Sequence, residues 1–410
     1  MNYLPEGSTF TRRFFSMTQQ KIYTWQFMLL CFSSLLFFSS FNMIIPELPA
    51  FLTSIGGGDY KGLIISVFTL TAGLSRPFSG KLADKVGRVP VMVFGATVSG
   101  LAALVYPHVT VVWAFLLLRF FHGFSTGFKP TGTAAYVGDI APLLKRGEAM
   151  GIFGLFGSMG MAIGPAIGSF IASAASLNTM FYTSSLMALL SVVILAGMRE
   201  TLVNREKFRP DHLKINWADV YEPRVLYPSV TLLLTMLPFG AVLTLAPDFS
   251  DYLGMGNRGL YFTTFTIASL GIRFIAGKAS DKYGRVAVLR FSIFFLVAAM
   301  ITTGFSTSVW QFLAGAVLFG IGTGMNSPTI YAWTIDLSDE HHRGRGIATM
   351  YIALEVGIGL GALLAGWLYG NHFSHMPYVF SFVAFVAFLG WVFVELIGKK
   401  KDVIPSQLRP

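Results

Sequence analysis

Three ionisable side chains lie deep inside long apolar runs, where a charge has to be explained. Glu355 sits in IATMYIALEVGIGLG, Lys129 in GFSTGFKPTG and Arg119 in LLLRFFHGFSTG. An ionisable group at mid-bilayer costs roughly 2.5–3.5 kcal/mol on insertion scales, so each is a functional candidate by default. Glu355 lies about ten residues from the nearest basic loop, hence roughly 15 Å deep at 1.5 Å per residue. A carboxyl taken out of water favours its neutral form and can take up and release a proton near neutral pH. Glu355 is therefore the first candidate for a coupling proton site, against the plainer reading of a structural carboxyl bonded to its neighbours. Lys129 lies ten residues before Asp139, at a similar depth, and this permits a pair with Glu355 across a cleft. Lys129 is a candidate to bind an anion or to neutralise Glu355; the alternative is a lysine snorkelling to the interface. Arg119 is a candidate to tune a nearby carboxyl or to contact substrate. Arg76 and Arg273 lie about a turn from a basic loop and read as structural, snorkelling residues. Glu47, Asp248, Asp139 and Asp336 fall at the ends of apolar runs and read as caps, with Glu47 kept as a possible proton-coupling residue.

The elements that position these groups are long apolar segments. The chain has 410 residues, 54% hydrophobic and 12% charged, where soluble domains carry about 25% charged residues. Segments of about 20 apolar residues span a bilayer. They occur at 25–46, 61–80, 90–107, 110–134, 148–172 and 177–197, then at 225–249, 258–277, 286–305, 309–335, 346–370 and 376–397. The reading is an all-α polytopic membrane protein of twelve transmembrane helices. An N-terminal six-helix bundle (1–197) and a C-terminal one (225–410) are joined by a polar linker, 198–224. The first run is too long for the apolar core of a signal peptide and no small-residue cleavage site follows it, so no secretory leader is expected.

The net charge is +10. The basic residues cluster in alternate short loops, which points to topology and anionic lipid rather than nucleic acid. One set holds Arg12, Arg13, Lys21, Lys81, Lys85, Arg88, Lys145, Arg146, the linker cations, Lys278, Lys282, Arg285, Arg290, Arg343, Arg345, Lys399–Lys401 and Arg409; the other holds only Lys61 and Arg258. By the positive-inside rule both termini are cytoplasmic, in a cell (inner) membrane. The one cysteine, Cys31, excludes a disulfide framework.

The chain repeats itself at a constant offset of 197 residues. FTLTAGLSRPFSGKLADKVGRVPV (Phe68–Val91) aligns with FTIASLGIRFIAGKASDKYGRVAV (Phe265–Val288) at 11 of 24 identical positions. The same offset pairs Arg76 with Arg273, Asp139 with Asp336, Gly123 with Gly320, Gly160 with Gly357 and Gly164 with Gly361. Two units of one origin fold alike. With six spans each they form a parallel repeat about an axis along the membrane normal, which leaves a central cavity between two pseudo-symmetric bundles.

The loops GKLADKVGR (Gly80–Arg88) and GKASDKYGR (Gly277–Arg285) supply helix-to-helix turns. Gly80 and Gly87 allow close approach and a tight turn. Asp84 can face a helix N-terminus, where the dipole favours an anion, and Lys85 and Arg88 hold headgroups. In the second copy Gly277, Asp281, Gly284 and Arg285 take these places. The paired loops resemble the signature between spans two and three of the major facilitator superfamily, and the chain looks closest to its twelve-span drug:proton antiporters. The resemblance implies that these loops latch the halves in the outward-facing state. Arg119 resembles the family's intramembrane arginine of span four. Gly160, Gly164, Pro165 and Gly168, in GLFGSMGMAIGPAIG, look like the antiporter motif of span five; small residues at helical spacing also simply let helices pack closely. Pro46-Glu47-Leu48-Pro49 and Arg199-Glu200-Thr201 fit the same family. Because its spans one, four, seven and ten line the cavity, the resemblance implies lining roles for Phe38, Asn42, Lys129, Phe239, Asn326, Tyr331 and Trp333.

No GxxxxGK[ST] loop, HExxH or Cys/His cluster occurs, so no ATP site, metal site or cofactor is expected. The pair His341-His342 reads as solvated. No catalytic triad can be argued, and an enzyme is not expected. The leading reading is a secondary transporter working by alternating access, a proton-coupled antiporter exporting small amphiphilic compounds, with a small-molecule substrate, protons and the lipid bilayer as partners and a monomeric state. An importer of a small organic nutrient, anion or metal chelate is kept open by Lys129, which also argues against a cationic substrate. A non-transporting scaffold or receptor is the reading from another class.

Overall fold

The computed structural model describes residues 23–141, 146–215, 220–338 and 343–396. His341-His342 and the cations Arg12, Arg13, Lys21, Lys145, Lys399–Lys401 and Arg409 lie outside the described residues, as do the side chains of Arg146 and Arg343. Twelve long helices follow one another: α1 (Trp25–Ile44), α2 (Lys61–Lys85), α3 (Arg88–Val105), α4 (Val112–Ile140), α5 (Arg146–Ala174), α6 (Leu177–Ala196), α7 (Leu226–Tyr252), α8 (Leu260–Tyr283), α9 (Arg285–Gly304), α10 (Val309–Leu337), α11 (Arg343–Tyr369) and α12 (Met376–Leu396). A short helix, Leu48–Ser54, continues α1.

On length and composition, eight of these helices can cross a membrane, α1 counted with its continuation; α8 makes a ninth when its two segments, bent by 47° between Arg273 and Ile275, are taken together. α2, α4 and α10 fall short of that test because charged and polar side chains and glycines interrupt their apolar runs. Several helices also outrun the apolar segments that predict them. α2 continues to Lys85 and α4 to Ile140, because hydropathy ends at the headgroups while backbone hydrogen bonding does not.

The helix starts follow the sequence. Thr24, Ser176 and Ser308 each accept a backbone N–H three residues on, at 3.2, 3.0 and 3.3 Å, the usual N-cap contact. The α2–α3 and α8–α9 turns place Gly87 and Gly284 at φ +142° and +89°, values that side-chain-bearing residues rarely adopt.

Packing repeats between the halves. α1 packs on α5 and α6, α2 on α4, and α3 on α4 and α6; correspondingly α7 packs on α11 and α12, α8 on α10, and α9 on α10 and α12. The halves meet along two related seams, α2 with α11 and α5 with α8. The end of the molecule carrying Gly80–Arg88 and Gly277–Arg285 is the gate-loop end, and the opposite one the far end. The outer surface is apolar. Trp113, Trp310 and Trp367 near helix ends are 74%, 83% and 77% exposed, as aromatic belts at membrane interfaces require.

The span-five glycines are explained by packing. A Cβ on Gly160 would stand 2.6 Å from the Leu35 carbonyl oxygen, one on Gly164 2.6 Å from that of Ser39, and one on Gly168 would meet that of Met43. The duplicate seam does the same: a Cβ on Gly357 would stand 2.6 Å from the Leu233 oxygen, and one on Gly361 would meet that of Leu237. These glycines let backbones touch where lipid offers no hydrophobic drive to associate. Gly80 and Gly277 are different: a Cβ there meets nothing within 4 Å, so the close approach expected at Gly80 is absent.

Replacing Gly164 by valine should therefore force α5 off α1. We expect a destabilisation of about 1–3 kcal/mol, the usual range for overpacking, read as a lower melting temperature of the purified chain. Gly80→Val, with open space to fill, should leave the melting temperature near that of the wild type.

Candidate functional site

The cavity between the halves has a volume of about 150 Å³. Phe41 and Asn42 of α1, Phe68 and Thr126, Phe239 of α7, Phe265 of α8 and Glu355 of α11 are among its lining residues. A second cavity of about 530 Å³ lies along the α2–α11 seam. Leu70, Leu74 and Pro77 of α2 face Val356, Leu360 and Glu355 of α11, and the linker residues Ile215 and Val220 also line it. Glu355 thus belongs to both, and it is 7% exposed.

Its partner is Arg76, not Lys129. Arg76 donates to Glu355 Oε1 from Nη2 at 2.6 Å and from Nε at 3.2 Å, and its guanidinium lies 4.4 Å from the Tyr351 ring centre. Both bonds fall on one carboxylate oxygen, and the ion pair joins the halves. Sequence reasoning placed Arg76 as a snorkelling residue because it lies close to the gate loop. The signal that could have found the pair is that Arg76 and Glu355 fall on helices that the repeat relates to the other seam, α8 and α5.

Lys129 is packed inside the N-terminal half at 1% exposure. It donates to Ser34 Oγ at 3.0 Å and lies over the Phe37 ring at 4.8 Å. It does not line the central cavity, so it neither pairs with Glu355 nor weighs against a cationic substrate. Arg119 is fully buried. It donates to the Ile64 carbonyl at 2.9 Å from Nε and to Tyr106 Oη at 3.4 Å from Nη1, with Phe68 beneath it at 4.4 Å. None of these partners is a carboxylate, so the expected tuning of a neighbouring acid is not what its contacts show. Of the residues named for the cavity, Asn42 and Phe239 line it; Phe38, Asn326, Tyr331 and Trp333 do not. Phe38 stands against Gly157 of α5. Asn326 donates to Thr235 Oγ1 at 2.8 Å within the C-terminal half, Trp333 is fully buried, and Tyr331 is partly exposed. A helix presents only one face to a cavity, so a polar or aromatic residue of a lining helix need not line it.

The gate loops form matched networks inside each half. Arg88 donates to Asp84 at 2.7 Å and to Asp139 at 3.1 Å, and Arg285 to Asp281 at 2.6 Å and to Asp336 at 2.9 Å. Asp139 and Asp336 are thus arginine partners, not merely caps. The Asp84 and Asp281 side chains are 71% and 68% exposed. Asp84 does not face a helix N-terminus. Glu200 takes that place, accepting the backbone N–H groups of Arg88 and Val89 at 3.0 Å each; Gly87 is needed there because a Cβ would collide with the Glu200 carboxylate. Lys85 is held by Glu206 of the linker at 2.9 Å. Hydrogen bonds from Lys85 and then from His212 draw the Glu206 carboxyl below the usual carboxylate range.

The far end is fastened across the halves. Lys61 pairs with Asp248, both about 10% exposed at the side chain. Arg258 donates to Glu47 and, at 2.7 Å, to Asp251, and Ser169 donates to Glu47 at 2.6 Å. Burial works against the charge of Arg258, but the bonds and charges of Asp251 and Glu47 outweigh it and raise the guanidinium above its ordinary value. Asn257 Nδ2 also donates to the Ala166 carbonyl at 2.9 Å. Glu47 and Asp248, read from sequence as end caps, are therefore ion-pair partners between halves. Among the described residues no group of three or more His, Cys, Asp or Glu is placed to hold a metal.

Lys61→Leu leaves the Asp248 carboxylate buried without its counter-charge, a change that typically costs about 3–5 kcal/mol. The melting temperature should fall in this variant and largely recover in Lys61→Leu/Asp248→Leu, where no charge is left unpaired.

Comparison with known proteins agrees with this architecture. The family model described as Major Facilitator Superfamily matches residues 30–265 and 258–409. The chain is 28% identical to the multi-drug resistance efflux pump PmrA of Streptococcus pneumoniae, over 87% of this chain and 92% of that protein. It is 23% identical to the quinolone resistance protein NorA of Staphylococcus aureus, over 92% and 97%. It is 25% identical to the uncharacterized MFS-type transporter MJ1560 of Methanocaldococcus jannaschii, over 80% and 86%. Among solved structures, a point mutant of the nucleoside transporter NupG superposes with a TM-score of 0.72 at 13% identity, covering 91% of this chain and all of that one. The human organic anion transporter MFSD10 gives 0.69 at 18%, covering 90% and 98%.

Proposed function

We propose, from the premise that this chain belongs to the major facilitator superfamily, that it is a proton-coupled antiporter exporting small amphiphilic compounds. That it is a multi-pass membrane transporter and not an enzyme follows from the family and from its relatives. Coupling, direction and substrate class are the proposal. The observation that carries it is the placement of Glu355: on the wall of the central cavity and, through Arg76, across the seam that must open in an alternating-access cycle.

A proton on Glu355 removes the charge that holds Arg76. The pair then loses its Coulomb attraction and its charge-assisted hydrogen bonds, which are roughly twice as strong as neutral ones. Loading a proton thus loosens the α2–α11 seam, and releasing it tightens the seam again. The far end is closed by Lys61–Asp248 and Arg258–Glu47, while Asp84 and Asp281 at the gate loops stand exposed. These contacts support reading the chain as inward-facing with the gate loops unlatched; both termini cytoplasmic, a place in the cell membrane and a monomeric state are part of the same proposal. The relative named as an efflux pump, PmrA, supports the direction of transport. The apolar walls of the cavity and of the α2–α11 crevice suit an amphiphile, since ligand pockets of this kind take an apolar body and fix it with few polar groups. The importer reading loses the support of Lys129, which is packed away from the cavity.

Substrate-induced proton flux in proteoliposomes tests this, with a panel of cationic, neutral and anionic amphiphiles. The wild type should move protons with at least one of them, and Glu355→Gln should abolish that flux while binding persists. Normal coupling in Glu355→Gln would remove Glu355 as the proton site.

A further inference from the structure

The two seams are related by the repeat but are not chemically equivalent. At one, Arg76 is met by the Glu355 carboxylate and by the Tyr351 ring. The offset of 197 carries Arg76 to Arg273, Glu355 to Ser158 and Tyr351 to Gly154. Arg273 of α8 does face α5 in the corresponding way, donating from Nη1 to Ser158 Oγ at 3.4 Å. Among the described residues it meets no carboxylate, and a Cβ on Gly154 would touch nothing within 4 Å. At one seam the arginine is neutralised by a carboxylate; at the other it keeps a single weak hydroxyl contact, with open space at Gly154.

That arginine lines a cavity of about 50 Å³ with Ser158, Ser269, Thr323 and Ser327. None of its lining residues is acidic. Thr323 gives its hydroxyl to the Phe319 carbonyl, while Ser269 and Ser327 have no such commitment among the described residues. Met161, Phe239, Phe265 and Thr266 line both this cavity and the central one, so the two adjoin. A compound with its apolar body against Phe239 and Phe265 reaches Arg273 with one polar end, on the opposite side of the cavity from Glu355.

We propose that Arg273 is the recognition site for a carboxylate on the transported amphiphile, and that the substrate supplies at the α5–α8 seam the charge that Glu355 supplies at the α2–α11 seam. This rests on reading the central cavity as the substrate site, and it narrows the substrate class to amphiphiles bearing one carboxylate. Arginine suits the task, because its planar donors match a carboxylate and its charge is never lost. The pairing also gives the substrate a structural effect: bound there, it neutralises the α5–α8 seam while Glu355 and its proton govern the other.

The test is calorimetric binding of 4-phenylbutyrate and its neutral analogue 4-phenylbutyramide to the purified full chain at neutral pH. The wild type should bind the acid about tenfold or more tightly than the amide, the factor expected for a hydrogen bond to a charged group. Arg273→Gln should erase that preference and leave amide affinity unchanged. Arg273→Lys should keep part of it. Ser158→Glu, which installs the missing carboxylate and leaves the arginine in place, should also erase it, and it decides the matter should Arg273→Gln fail to fold. No preference for the acid in the wild type, or a preference that survives both Arg273→Gln and Ser158→Glu, overturns the proposal. Binding needs no proton flux, so loss of this preference and normal coupling in Glu355→Gln are separate failures.

Discussion

The cost of holding a charge away from water organises this molecule more than any other constraint. A helix bundle in lipid can satisfy its backbone internally, but each arginine, lysine or carboxylate placed between helices must find a partner or pay for its absence. The described structure resolves most of these charges by pairing across the boundary between halves: Arg76 with Glu355, Lys61 with Asp248, Arg258 with Glu47. These are also the contacts that must exchange if the halves rock. The requirement to neutralise charge and the capacity to move are therefore the same set of bonds seen at different moments.

Much of the architecture was legible in the sequence, since twelve apolar segments and a constant repeat offset leave few alternatives to two six-helix bundles. The boundaries were less so. Hydropathy sees where hydrocarbon ends and not where a helix ends, which is why α2 and α4 ran past their apolar segments. Glu355 was found because a lone carboxylate in an apolar run is conspicuous by itself. Its partner was missed because Arg76 and Glu355 are 279 residues apart, and no local pattern records which helices meet. Lys129 failed for the complementary reason: depth along a helix can be counted from sequence, but the face cannot, and the face toward Ser34 and Phe37 hides the ammonium from the cavity.

Duplication makes the molecule easier to read where its copies differ. The gate networks of Arg88 and Arg285 are nearly the same object built twice, and the glycine contacts of α5 on α1 recur in α11 on α7. These are the demands of folding, shared by both halves. The seams have diverged, with a glutamate and a tyrosine on one side and a serine and a glycine on the other. This departure reaches the central cavity at Glu355, where two halves that face one solute need not treat it alike.

The linker acts as a short leash. It is pinned to the N-terminal half where Lys81 donates to the Lys214 carbonyl and Glu206 N–H to that of Lys85. It is pinned to α11 where Thr349 Oγ1 donates to the Val220 carbonyl and the Glu222 N–H donates to Thr349. Six residue-to-residue steps separate Lys214 from Val220, and at full stretch they reach only about 20 Å. While both anchors hold, that length is a mechanical stop on how far α2 and α11 can part at the gate-loop end. The connection between the halves thus bounds their separation as well as joining them.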